Sequence, residues 1–113
     1  VTITLFLAKA LLCTPSACFP ALVGDATPVG TFELNRRYVA ARGYGGDVLQ
    51  FDESARHIMA IHRVWLGKPS ERRLERLASD DPADRRGVTN GCVNVMPDVY
   101  EQLVDAKLLV IEP

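Results

Sequence analysis

The chain has no stretch near the roughly 20 consecutive apolar residues that a membrane-spanning helix needs. Yet 48% of its 113 residues are hydrophobic, enough for one domain with one core. The apolar opening, Val1 to Leu12, is interrupted by threonines and by Lys9. It has no basic leader, so it does not read as a signal peptide. Because the sequence starts on valine, residues before Val1 are expected to have been processed away or trimmed. The net charge is only −1, which gives no reason to expect nucleic acid or an anionic membrane as partner. There is no Cys-x-x-Cys pair and there are only two histidines, so a zinc site is not expected and no other cofactor is implied. The glycine-rich run Gly43-Tyr44-Gly45-Gly46-Asp47 lacks the Gly-Lys-Ser/Thr ending of a phosphate-binding loop.

Three cysteines are present, an odd number. On one extended strand Cys13 and Cys18 would lie about 16 Å apart, beyond the roughly 7 Å that a disulfide spans. A bridge needs a turn at Thr14-Pro15-Ser16-Ala17, which Pro15 permits; otherwise both are small buried residues. Either way Cys92 is left over. Positive charge is mostly arginine, ten against three lysines. Arg63, Arg72, Arg73, Arg76, Arg85 and Arg86 fall between His62 and Cys92, interleaved with Glu71, Glu75, Asp80, Asp81 and Asp84. This is either a solvated, salt-bridged surface or the source of one or two guanidinium groups that grip substrate carboxylates.

Alternating β-branched and apolar residues predict strands at Val1–Phe6, Thr31–Leu34, Val48–Phe51, His57–His62 and Leu108–Ile111. A further extended segment is predicted over Leu11–Val23, broken by its prolines. Gly24 to Gly30 reads as a loop. A first helix is predicted over Ser70–Ser79, with Ser70 as cap and Leu74, Leu77 and Ala78 facing inward. Asp80–Gly87 is expected to be a polar loop. A second helix opens at Pro97-Asp98, with Val99, Leu103 and Ala106 as its inner stripe and Lys107 at its end. The expectation is a single mostly β domain over residues 1–113 with two short helices.

The chemistry is expected in Thr89-Asn90-Gly91-Cys92-Val93-Asn94, with His62 upstream at the end of an apolar strand. A cysteine with a pKa near 8.5 is only about 3% thiolate at pH 7, and a nearby imidazole can raise the reactive fraction. His62 would take the thiol proton and return one to the leaving amine, its other nitrogen oriented by a backbone carbonyl or polar side chain. Backbone N–H groups of Gly91 and Cys92 are the expected oxyanion donors. Thr89 and Asn94 either stiffen the loop or contact substrate. Tyr44 sits on a loop that could cover the cleft, and His57, at the start of its strand, is expected at the surface. Activity is expected to fall at acid pH as the Cys92–His62 pair is protonated.

These residues resemble the catalytic domain of the bacterial L,D-transpeptidases, the YkuD-like family. That family's signature is a histidine, a variable gap, then Ser/Thr-His-Gly-Cys-hydrophobic-Asn. Thr89, Gly91, Cys92, Val93 and Asn94 match five of the last six places, and His62 matches the upstream histidine. Thr27-Pro28-Val29-Gly30-Thr31-Phe32 is similar to the family's Thr-Pro-x-Gly-x-Phe hairpin. Asn90 stands where the family usually has a second histidine, and the gap from His62 to Thr89 is longer, consistent with an Arg-rich insertion beside the cleft. The resemblance implies a β-sandwich or barrel with a catalytic cysteine loop. It further implies a cysteine acyltransferase that acts on peptidoglycan stem tetrapeptides through a thioester at Cys92 and forms a 3→3 cross-link. With water as acceptor it would be an L,D-carboxypeptidase. A wall-detaching hydrolase and a catalytically silent peptidoglycan-binding module remain as alternatives. Implied partners are stem peptides and carbapenem β-lactams as covalent inhibitors, in the bacterial cell envelope (the periplasm or outside the cytoplasmic membrane). Arg63, Arg86, Thr89, Asn90, Asn94 and Tyr44 are the expected substrate contacts.

Overall fold

A computed structural model describes residues 1–40, 45–54 and 58–113. Tyr44 and His57 therefore lie outside the described residues. Strands run β1 (Thr2–Phe6), β2 (Leu11–Cys13), β3 (Cys18–Pro20), β4 (Gly30–Glu33), β5 (Asn35–Tyr38), β6 (Asp47–Glu53), β7 (Ile58–Arg63), β8 (Val93–Val95) and β9 (Leu108–Glu112). The helices are α1 (Arg73–Ala78) and α2 (Pro97–Leu103), with 3₁₀ turns at Pro69–Glu71 and Pro82–Arg85. The expected mostly β chain with two short helices is what is found.

The described strands form two sheets, ordered β3-β2-β1-β9-β4 and β5-β6-β7-β8. In the first, β1 and β9 pair in parallel, which brings the two ends of the chain side by side. Period-two alternation sends Ile3, Leu5, Leu109 and Ile111 to one face. They share one core with Leu49, Phe51, Met59, Ile61, Val93 and Val95 of the second sheet. Helix α2 closes that core with Val99, Tyr100 and Leu103, and Ala106 just beyond it is buried as well.

Three sequence expectations change. The segment Leu11–Val23 folds as a tight hairpin: Thr14 N–H donates to Ala17 O at 2.7 Å, and Cys13 faces Cys18 across β2 and β3. The two sulfurs are bonded, so the turn alternative holds. The first helix does not start at Ser70. Pro69 opens a 3₁₀ turn, Arg72 takes a left-handed conformation (φ 54°), and α1 begins after it with no side-chain cap. Its buried face is also not apolar: Leu77 alone is buried, Leu74 is exposed, and Arg73, one turn before Leu77, lies on the inward face. Leu77 seats the helix against Leu22 and Val64, a burial that contributes about 2 kcal/mol. Finally, Asp80–Gly87 is not a plain polar loop. Asp81 caps the 3₁₀ turn by accepting from Ala83 N–H at 3.0 Å. Arg85 is buried there, donating to the carbonyls of Lys9, Ala10 and Ser79, so it staples this segment to the β1–β2 turn. Strand β5, exposed at every residue and rich in arginine, has no apolar alternation by which its sequence would reveal it.

Candidate active site

The parallel pairing of β7 and β8 builds the site. His62 stands opposite Asn94, and Ile61 opposite Val93. Cys92 precedes β8 by one residue and has the same parity as Asn94. Strands about 4.8 Å apart, with about 6.6 Å between alternate residues, set the His62 and Cys92 backbones roughly 8 Å apart, both side chains on one face. A cavity of about 200 Å³ opens on that face, lined by His62, Trp65, Arg73, Thr89, Asn90 and Cys92. The structure thus brings together Cys92, His62, Thr89 and Asn90.

The cysteine loop is held from behind by the Gly24–Thr27 turn. The buried Thr27 hydroxyl accepts from Gly24 N–H at 3.0 Å and donates to Gly91 O at 3.0 Å. The N–H groups of Val88 and Thr89 both donate to Val23 O. At Gly24 the two segments touch so closely that a Cβ would stand 2.0 Å from the Thr89 carbonyl oxygen. Gly91 has φ +125° and lies against the Met59 side chain, a conformation that favours glycine. Thr89 stiffens the loop: its hydroxyl donates to Cys92 O at 2.6 Å and accepts from Gly91 N–H at 3.1 Å. That contact changes the oxyanion expectation. Gly91 N–H already has a partner in the loop, and Cys92 N–H is the remaining candidate of the two.

Asn94 is fully buried and does not line the cavity, so it is not placed as a substrate contact. Its Oδ1 accepts from Trp65 N–H at 3.1 Å and from Arg73 Nη1 at 2.9 Å. Those two donors fix the amide orientation, which directs Nδ2 at His62 Nε2, 3.4 Å away. On the other side of the ring, Nδ1 is 2.6 Å from the Arg63 carbonyl. A carbonyl only accepts, so Nδ1 carries the proton and Nε2 has the lone pair. This backbone carbonyl is the orienting group that the sequence left open.

Electrostatics set the resting state. Burial lowers the His62 pKa from 6.5 to about 4, against the bond to the Arg63 carbonyl and with the help of the Arg73 charge. Burial also pushes the Cys92 thiol up, and neither a backbone hydrogen bond from Ala60 nor the Arg73 charge cancels it. The thiol itself donates weakly to Ile58 O at 3.7 Å. Both shifts disfavour a standing thiolate–imidazolium pair. Both groups therefore rest neutral, and because the Nε2 lone pair faces the Asn94 amide N–H, a proton from Cys92 reaches Nε2 only when that contact is exchanged.

Two expected substrate arginines are elsewhere. Arg63 follows His62 in β7 and so emerges on the opposite face, where it pairs with Asp47 and Glu101 and lies over the Tyr100 ring. Arg86 lines a separate cavity of about 310 Å³ with Asp25, Gly87 and Pro113. The arginine that does line the Cys92 cavity is Arg73, which the sequence reading did not single out. Its spacing to Leu77 is the signal that could have found it, once Leu77 is known to be the seat of α1. Trp65 was likewise missed.

No protein-family model, curated protein or solved structure matches this chain. No helix among the described residues is long and apolar enough to cross a membrane. No group of three or more His, Cys, Asp or Glu among them could hold a metal ion.

Proposed function

We propose that the chain is a cysteine acyltransferase of the L,D-transpeptidase kind, with its β-sandwich or barrel scaffold, acting on peptidoglycan stem tetrapeptides in the bacterial cell envelope. The observation that carries this reading is one cavity lined by both Cys92 and His62, with the imidazole proton on Nδ1 and the Nε2 lone pair facing the Asn94 amide, which must give way for Nε2 to act as base. In this scheme Cys92 Sγ attacks the carbonyl before the terminal residue of the stem as His62 Nε2 takes its proton. The tetrahedral oxyanion lies near Cys92 N–H. Its collapse expels the terminal amine, protonated by His62, and leaves a thioester. A side-chain amine of a second stem then takes the acyl group to give a 3→3 cross-link; water as acceptor would give L,D-carboxypeptidase or wall-detaching hydrolase activity.

Carbapenems should acylate the same sulfur, giving one covalent adduct by intact-protein mass spectrometry that Cys92→Ala abolishes. Incubation with a purified disaccharide-tetrapeptide should yield dimer or tripeptide in a Cys92-dependent manner. Binding of muropeptides without any Cys92-dependent product would instead support a silent binding module. The lowered pKa of His62 and the raised pKa of Cys92 are the observation that favours that second reading.

A further inference from the structure

Arg73 is a guanidinium with only 10% of its side chain exposed, and it lines the cavity of the candidate nucleophile. Three contacts hold it rigid. Its Nε donates to Glu71 Oε1 at 3.2 Å, its Nη1 donates to Asn94 Oδ1, and its Cζ lies 5.1 Å from the centre of the Trp65 ring. A guanidinium has five N–H donors in a planar fork, so these two hydrogen bonds leave donor capacity for a ligand. The other lining residues, His62, Trp65, Thr89, Asn90 and Cys92, include no acid. The cavity wall therefore carries one fixed positive charge and no negative one. Glu71 offsets that charge in part, from a position that is 29% exposed and outside the lining.

We propose that Arg73 is the carboxylate-binding residue of the Cys92 cavity, so that the ligands it selects carry a free carboxylate beside the carbon that Cys92 attacks. The inference rests on the reading of Cys92 as the nucleophile, but not on the identity of the acyl donor. It gives the Arg-rich segment between His62 and Cys92 a specific task. Leu77 docks α1 against Leu22 and Val64, and that docking delivers the guanidinium one turn away to the cavity wall. The planar fork can hold a carboxylate in a bidentate manner, which a lysine ammonium does not.

The test uses two small alkylating agents that differ in charge, iodoacetate and iodoacetamide. Cys13 and Cys18 are bonded to each other, so under non-reducing conditions Cys92 is the thiol available. In each case the sulfur displaces iodide, and the ratio of the two rates cancels any change in thiolate fraction. Relative to the same ratio for N-acetylcysteine, Cys92 should favour iodoacetate by about tenfold. Arg73→Gln should bring the ratio back to the N-acetylcysteine value, and Arg73→Lys should keep part of the preference. Glu71→Gln removes the competing carboxylate and should raise it, which gives an independent result if Arg73→Gln fails to fold. A wild-type ratio at or below the reference, alkylation by neither reagent, or an unchanged ratio in Arg73→Gln would overturn the proposal. Retained iodoacetate preference without any carbapenem adduct would remove the acyltransferase reading but leave the carboxylate site standing. The reverse result would remove only the assignment of Arg73.

Discussion

His62 and Arg63 are neighbours in β7, yet their side chains enter polar environments that behave in opposite ways. On the Arg63 side, Asp47 is 5% exposed. Burial alone would raise its pKa, but bonds from Arg36, Tyr100 and Arg63 outweigh it and hold the carboxyl below its usual range. Each donor is within 3.0 Å of an Asp47 oxygen. On the His62 side, His62 is buried and Cys92 half-buried, but the nearest fixed charge, Arg73, is a cation that disfavours imidazolium. Burial then wins, and both groups rest neutral. The lesson concerns charge pairing rather than depth: the Arg63 side is a compensated brace, while on the His62 side the cation in the cavity wall is offset only in part, by Glu71 outside the lining, and faces neutral groups.

The brace should break hardest. Asp47→Ala leaves Arg63 and Tyr100 without their shared acceptor and should destabilise the fold by about 3–4 kcal/mol in urea titrations. A loss under about 1 kcal/mol would mean that the cluster contributes little.

The His62 side should respond to pH. With a folded pKa of about 4 against 6.5, the unfolded chain takes up a proton that the native chain refuses between those values. Stability should therefore fall as pH drops from 6.5 toward 4, by up to about 3 kcal/mol. His62→Gln should remove that component, so the check is the difference between the two proteins' stability curves. The same burial revises the kinetic expectation. The acid limb of any His62-dependent rate belongs near pH 4, and a flat His62 contribution between pH 5 and 8 is what a neutral base gives. A half-maximal rate near 6.5 would show that His62 is not desolvated as described.

The smallest effect sharpens the contrast within the brace. Glu101 bonds Arg63 at 2.7 Å, as close as any contact there, but its side chain is 60% exposed. Glu101→Gln should cost less than about 1 kcal/mol, because water already screens that pair.

Where residues carry their own local signal, the sequence was readable. The alternation of Val1–Phe6 and Leu108–Ile111, the Pro97-Asp98 helix start and the inward Val99 and Leu103 all depend on near neighbours in the chain, whereas the helix stops at Leu103, short of the expected Ala106 and Lys107. The cysteine loop and the strand histidine each carry a local signal, but their meeting on one cavity follows from the parallel pairing of β7 and β8. The roles of Arg63, Arg86 and Asn94 were not. Strand parity sends Arg63 away from His62, and three partners distant in sequence enclose Asn94. The first helix departs from the expected start because Arg72 takes a left-handed conformation, and Arg73 rather than Leu74 lies inward.

Sequence alone determined the chemical alphabet of the site, a thiol, an imidazole and a glycine-bearing loop, and the β-rich character of the chain that carries them. Tertiary structure decided which arginine joins them, which imidazole nitrogen holds the proton and that the pair rests uncharged. The physical reason is that identity and periodicity are properties of adjacent residues. Burial and charge pairing arise only when β7, β8, α1 and the Gly24–Thr27 turn, far apart along the chain, converge on one cavity.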